Sequence, residues 1–130
     1  MSTNHASVLI VARSGSLRDG LRALMTTSRR IELLEEAEDE AEVLRIVAEG
    51  RPAVVLLDAS LSPGSVRALL DQIKLASPGT RRVVLAETVQ QKQEIEAPGT
   101  EIVLLHGAPA ATLLLTVEAF LPGPEEQVTG

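Results

Sequence analysis

Short apolar runs alternate with amphipathic segments along this chain, and the alternation is regular. Val8-Leu9-Ile10-Val11-Ala12 is an unbroken β-rich run, the pattern of a strand buried on both faces. Ser16 with Asp19 reads as a capping box, and Leu17, Leu21, Leu24 and Met25 follow at helical spacing. Ile31-Glu32-Leu33-Leu34-Glu35 is half polar and suits an edge strand. Asp39 with Glu42 predicts a second capped helix carrying Val43, Leu44 and Val47, stopped at Gly50 and Pro52. Ala53-Val54-Val55-Leu56-Leu57 is the most apolar strand candidate and ends abruptly on Asp58. Ser62 and Pro63 then read as the cap and first residue of a helix with Val66, Leu69, Leu70 and Ile73 on one face, closed by Ser77-Pro78-Gly79. Val83 to Ala86 and Ile102 to Leu105 are the fourth and fifth strands. Pro109 opens a last helix with Leu113, Leu114, Val117, Phe120 and Leu121, and Pro122 closes it. Between Glu87 and Thr100 the only aliphatic side chains larger than Ala are Val89 and Ile95, so a fourth helix there is short or irregular, or gives way to a loop.

Strand–helix units with short connections demand parallel pairing and right-handed crossovers. The expected architecture is α/β: a flavodoxin-like, doubly wound, five-stranded parallel sheet of order 2-1-3-4-5, its second and fifth strands at the edges. The domain is expected over residues 8–121, between flexible ends at 1–7 and 122–130, with no second domain read after Leu121.

Composition narrows the function. With 45% hydrophobic residues, no Trp, no Tyr and only Phe120, the core is aliphatic and there are no rings to stack nucleic-acid bases. A net charge of −6 argues against a phosphate-seeking surface. The absence of Cys removes thiolate chemistry and cysteine zinc sites, and two histidines, His5 and His106, leave little for a transition metal. No apolar run approaches membrane-spanning length and no secretory h-region is present, so a soluble, cytoplasmic protein is expected. Glu32, Glu35, Glu36, Glu38, Asp39, Glu40 and Glu42 read as a solvated face and helix start, or as a patch that steers a partner. Arg13, Arg18, Arg22, Arg29 and Arg30 crowd the first helix.

In this architecture chemistry belongs at the carboxyl ends of the first and third strands. Asp58 stands at one of them. Its plain reading is a loop-capping aspartate; its functional reading is a partly desolvated carboxylate in the crevice.

From Val8 to Leu121 the chain resembles a bacterial response-regulator receiver domain, closest to the receivers joined to NarL-type DNA-binding domains. The resemblance rests on Ser16-Leu17-Arg18-Asp19-Gly20-Leu21-Arg22-Ala23-Leu24, on Arg51-Pro52-Ala53-Val54-Val55-Leu56-Leu57-Asp58, and on Leu104-Leu105-His106-Gly107-Ala108-Pro109. It implies Asp58 as the phospho-acceptor. In that family two acids after strand one join the acceptor in holding Mg²⁺, while a Ser or Thr after strand four and a Lys after strand five bind the phosphoryl group. Here Ala12 and Arg13 fall on the acidic pair, Ala86 on the Ser/Thr and His106 on the Lys. Thr88 could substitute if strand four ends late. The Pro-Gly that follows the acceptor comes one place late, as Pro63-Gly64, and Ile102 or Val103 replaces the aromatic switch residue.

Asp58 without the acidic pair is a poor ligand set for Mg²⁺, an ion that wants several hard oxygens. Arg13 either forms an ion pair with Asp58, with His106 nearby, leaving a weak nucleophile, or points to solvent. The expected function is therefore a non-enzymatic pseudo-receiver that works by protein–protein interaction, with no cofactor. The alternative is a working phospho-acceptor that uses Asp58 with Mg²⁺ in a phosphorelay. A third is a small-molecule-binding or phosphotransfer enzyme on the same fold, although Ser14-Gly15-Ser16 does not match a Gly-rich phosphate loop. The implied partner is a histidine kinase or downstream regulator, and the resemblance also implies a homodimer through the last helix. No nucleic acid and no membrane are expected as partners of this domain.

Overall fold

The structure, a computed structural model, describes residues 6–61, 66–96 and 102–122. Five strands, β1 (Ser7–Val11), β2 (Leu33–Ala37), β3 (Val54–Asp58), β4 (Arg81–Ala86) and β5 (Ile102–Leu105), pair in the order β2-β1-β3-β4-β5. Every pairing is parallel. Helices α1 (Ser16–Met25), α2 (Glu40–Gly50), α3 (Val66–Ala76), α4 (Val89–Glu96) and α5 (Ala110–Ala119) connect and follow them. The expected flavodoxin-like α/β sheet is the one observed, with β2 and β5 at its edges.

The unbroken apolar runs produce two cores because successive strand residues face opposite ways. Leu9, Val11, Val55, Leu57 and Val84 pack on one side against Val43, Ile46 and Val47 of α2, Leu69, Leu70 and Ile73 of α3, and Ile95 of α4. Val8, Ile10, Val54, Leu56, Val83 and Leu85 pack on the other against Leu21 and Met25 of α1 and Leu113 and Val117 of α5. Aliphatic side chains fill both, while Phe120 is half-buried at the rim of the second core.

Several boundaries differ from the sequence reading. Ser16 does not cap α1; Gly15 occupies the cap position at φ 149°, a backbone conformation that residues with a Cβ rarely adopt, and no side-chain cap bond forms. Asp19 pairs with Arg22 instead, at 2.6 Å. The capping box of α2 is half made: Asp39 accepts from the Glu42 amide at 2.8 Å, but the Glu42 carboxylate accepts from the Glu38 amide rather than from its own cap. The left-handed position that ends α2 is Arg51, at φ 45°, and not Gly50. β2 lies two residues later than Ile31–Glu35, because its register is set by pairing with Ser7–Val11 and not by its own indistinct polarity. β1 begins at Ser7, with Ala6 also buried. α4 is short, eight residues with Ile95 its only buried side chain, and it is a regular helix. The Ser62 cap, Pro63 and Gly64, His5, and most of the two end segments lie outside the described residues.

Truncating Leu56, fully buried in the central strand, removes contacts on the α1–α5 side of the sheet. Leu56→Ala should lower the unfolding free energy by about 2–5 kcal/mol in urea titration. Leu75→Ala, at a position 83% exposed on α3, should stay within about 0.5 kcal/mol of the parent.

Candidate functional site

β3 delivers Asp58 as its last residue, paired beside Leu85 of β4 and only 6% exposed. A buried carboxylate needs donors, and two of the described residues supply them. The Ser60 amide donates to Oδ1 at 3.1 Å, and the Ser60 hydroxyl sits 2.9 Å from Oδ1 and 2.8 Å from Oδ2. This is an Asx-type turn, and it shapes the single 3-10 turn Ala59–Leu61 that leaves the strand. The loop-capping reading of Asp58 is therefore realised in its geometry.

The second partner comes from β5. His106 Nε2 lies 3.1 Å from Asp58 Oδ1, the histidine side chain being 30% exposed and the aspartate side chain 8%. β4 separates β3 from β5, so the imidazole reaches across a whole strand. It can do so because both side chains stand at the carboxyl ends of their strands, where β4 also ends, in Ala86. The His106 amide meanwhile donates to the Ala86 carbonyl at 2.9 Å, fixing where the side chain starts.

Arg13 does not form the expected pair with Asp58. Its Nη2 donates to the Leu61 carbonyl at 3.2 Å, tying the end of β1 to the end of the 3-10 turn. The carboxylate already has donors in Ser60 and His106. Arg13 and Leu61 also line a cavity of about 310 Å³ whose far wall is Glu38, Asp39 and Glu40. Thr88 does not substitute for the missing Ser or Thr. β4 ends at Ala86, and the Thr88 hydroxyl accepts from the Gln91 amide at 3.0 Å, capping α4. Ala12 and Ala86 are core methyls, 1% and 0% exposed. On β5, Ile102 is exposed and Val103 buried.

Two acids of the cluster pair with the arginines of α1. Glu36 lies 3.1 Å from Arg18 Nε and 3.2 Å from Arg22 Nη1, and Glu38 lies 3.6 Å from Arg18 Nη1. These contacts brace α1 against the end of β2.

The Mg²⁺ that the resemblance implies does not fit these donors. Asp58 is hydrogen-bonded to Ser60 and His106, a methyl and a cation occupy the positions of the acidic pair, and among the described residues no three His, Cys, Asp or Glu side chains converge to hold a metal ion. Ser60 escaped the sequence reading, although the Asp-x-Ser spacing of an Asx turn was visible. His106 stood in the sequence as a family position; its contact with Asp58 depends on the order of the sheet.

No protein-family profile and no curated protein matches the chain by sequence. Solved structures match by shape. A LuxR-family two-component response regulator from Aurantimonas sp. SI85-9A1 superposes with a TM-score of 0.76 at 19% identity, over 94% of this chain and 92% of that one. The chemotaxis protein CheY4 of Vibrio cholerae gives 0.71 at 23% identity, over 88% and 98%. A putative CpaE2 pilus assembly protein from Sinorhizobium meliloti gives 0.62 at 14% identity, over 86% and 97%. The chain thus has the CheY-like receiver fold.

The Asp58–His106 contact is measurable as a coupling. In a double-mutant cycle of Asp58→Asn and His106→Gln by urea unfolding, the coupling energy should be about 0.5–1 kcal/mol. Additive effects would show that the two side chains hold each other with no net energy.

Proposed function

We propose that this chain is a receiver-like signalling module that acts through protein–protein interaction and whose acceptor position is held by its own side chains rather than by Mg²⁺ and a phosphoryl group. One observation carries this reading: Asp58 sits at the end of β3 with its oxygens bonded to Ser60 and His106, and Ala12 and Arg13 stand where metal-binding acids would be needed. An in-line phosphoryl transfer needs a cation on the transferred oxygens and a free carboxylate oxygen to attack. Oδ1 carries the contacts of the Ser60 amide and His106, and Arg13 is directed to Leu61.

Residues 16–24 and 51–58 favour an origin near the NarL-type receivers, as a pseudo-receiver that keeps the scaffold without the phosphorylation machinery. The proposed setting is the bacterial cytoplasm, the proposed partner a kinase or an output regulator, and no catalytic activity is assigned. No helix among the described residues is long and apolar enough to cross a membrane, which is compatible with that setting. One observation favours the phospho-acceptor alternative: among the described residues Oδ2 accepts the Ser60 hydroxyl alone, leaving it room for a further bond. The CpaE2 likeness supports keeping the fold and the relay apart, because that protein is named for pilus assembly and not for phosphotransfer.

Two measurements test the proposal. With beryllium fluoride and Mg²⁺, the amide resonances around Asp58 should not move; shifts that disappear in Asp58→Asn would establish the acceptor reading instead. Ala12→Asp combined with Arg13→Asp should create Mg²⁺ binding detectable by calorimetry where the parent shows none. Mg²⁺ binding by the parent would overturn the proposal.

A further inference from the structure

The sequence of α4 gives it little reason to be a helix. It has eight residues, fewer than an isolated helix needs to hold in water. Ile95 is its only buried side chain, and no residue of its last turn is basic. That turn carries Glu94 and Glu96 instead, whose charges oppose the partial negative charge of a helix C-terminus. Lys92 and Glu96 do meet at 3.0 Å, but with the cation nearer the N-terminus, the less favourable order along a helix.

The two ends of α4 are finished differently. At the N-terminus the chain caps itself. The Thr88 hydroxyl accepts from the Gln91 amide at 3.0 Å, and the Gln91 side chain accepts from the Glu87 amide at 2.8 Å. At the C-terminus the partner comes from another helix. Arg67, the second residue of α3, donates from Nη2 to the Ile95 carbonyl, one of the last four that α4 cannot bond within itself. Nη1 of the same guanidinium lies 3.5 Å from Asp71 Oδ1, one turn further along α3. Arg67 thus brings to the end of α4 both the donor and the positive charge that its last turn lacks. The Arg67 side chain is only 35% exposed, so water screens this contact incompletely.

We propose that Arg67 is a latch: a positioning residue on α3 that holds α4 in its helical form, making α4 a conditional helix set from outside its own sequence. A contact that draws the guanidinium to another acceptor, or a shift of the first turn of α3, would release α4 without touching it. Val66 opens α3 five residues after Leu61, where the turn built on Asp58 and Ser60 ends. The latch acts through no group of that turn, so it holds whether or not Asp58 accepts a phosphoryl group.

The test is amide hydrogen exchange of the full chain, read residue by residue by NMR. In the parent, the amides of Lys92 to Glu96 should exchange ahead of those of β1 and β3. In Arg67→Ala they should exchange about tenfold faster again, as expected for the loss of one charge-assisted hydrogen bond. Asp71→Ala removes the partner of Arg67 within α3 and leaves the bond to Ile95, so the same amides should change less than about twofold. Arg67→Lys keeps the charge but loses the fork, and should fall between parent and Arg67→Ala even if the alanine variant folds poorly. Adding Glu94→Lys to Arg67→Ala puts a cation into the last turn and should restore part of the protection. Unchanged exchange of α4 in both Arg67 variants would overturn the latch. Equal acceleration by Asp71→Ala would overturn it as well, by showing that Arg67 serves α3 and not α4.

Discussion

Parallel pairing of five short strands is the constraint from which the rest of this molecule follows. It buries both faces of the sheet, so the strands must be aliphatic throughout, and it requires helices on each side to cover them. It also sends all strand starts to one pole and all strand ends to the other. Chemistry therefore gathers at the ends by topology alone. The carboxylate of Asp58, the imidazole of His106 and the guanidinium of Arg13 come from three different strands and meet the same rim.

At that rim the chain's own side chains supply the partners of a buried carboxylate. A buried carboxylate can be balanced by a metal ion, by a fixed cation or by hydrogen-bond donors. Here the donors are Ser60, two residues away along the chain, and His106, two strands away across the sheet. Arg13, the strongest cation nearby, bonds a carbonyl instead. The backbone that carries these contacts superposes on receiver domains.

Much of the fold was legible in the sequence because apolar runs and helical stripes are set by burial, which is local to each element. β5 was bounded correctly from Ile102 to Leu105 for that reason. β2 was not, because Glu35 and Glu36 give an edge strand no clear polarity limit and only its partner fixes the register. Charge pairing was harder still. Proximity of Arg13 and Asp58 in the topology suggested an ion pair, but side-chain bonds are decided by distances of an ångström or two, and Ser60 was already within reach. The contact of His106 with Asp58 joins residues two strands apart, and only the order of the sheet brings them together.

The short helix α4 has a consequence of another kind. A single buried side chain, Ile95, anchors it, while its outer face carries glutamine, glutamate and lysine and is held by the Lys92–Glu96 contact. Local opening of such an element takes only a fraction of the free energy of global unfolding. β5 beneath it is an edge strand, hydrogen-bonded on one side only, to β4. Opening of α4 would uncover the face of the sheet that Ile95 packs against, so this end of the domain is where local unfolding costs least.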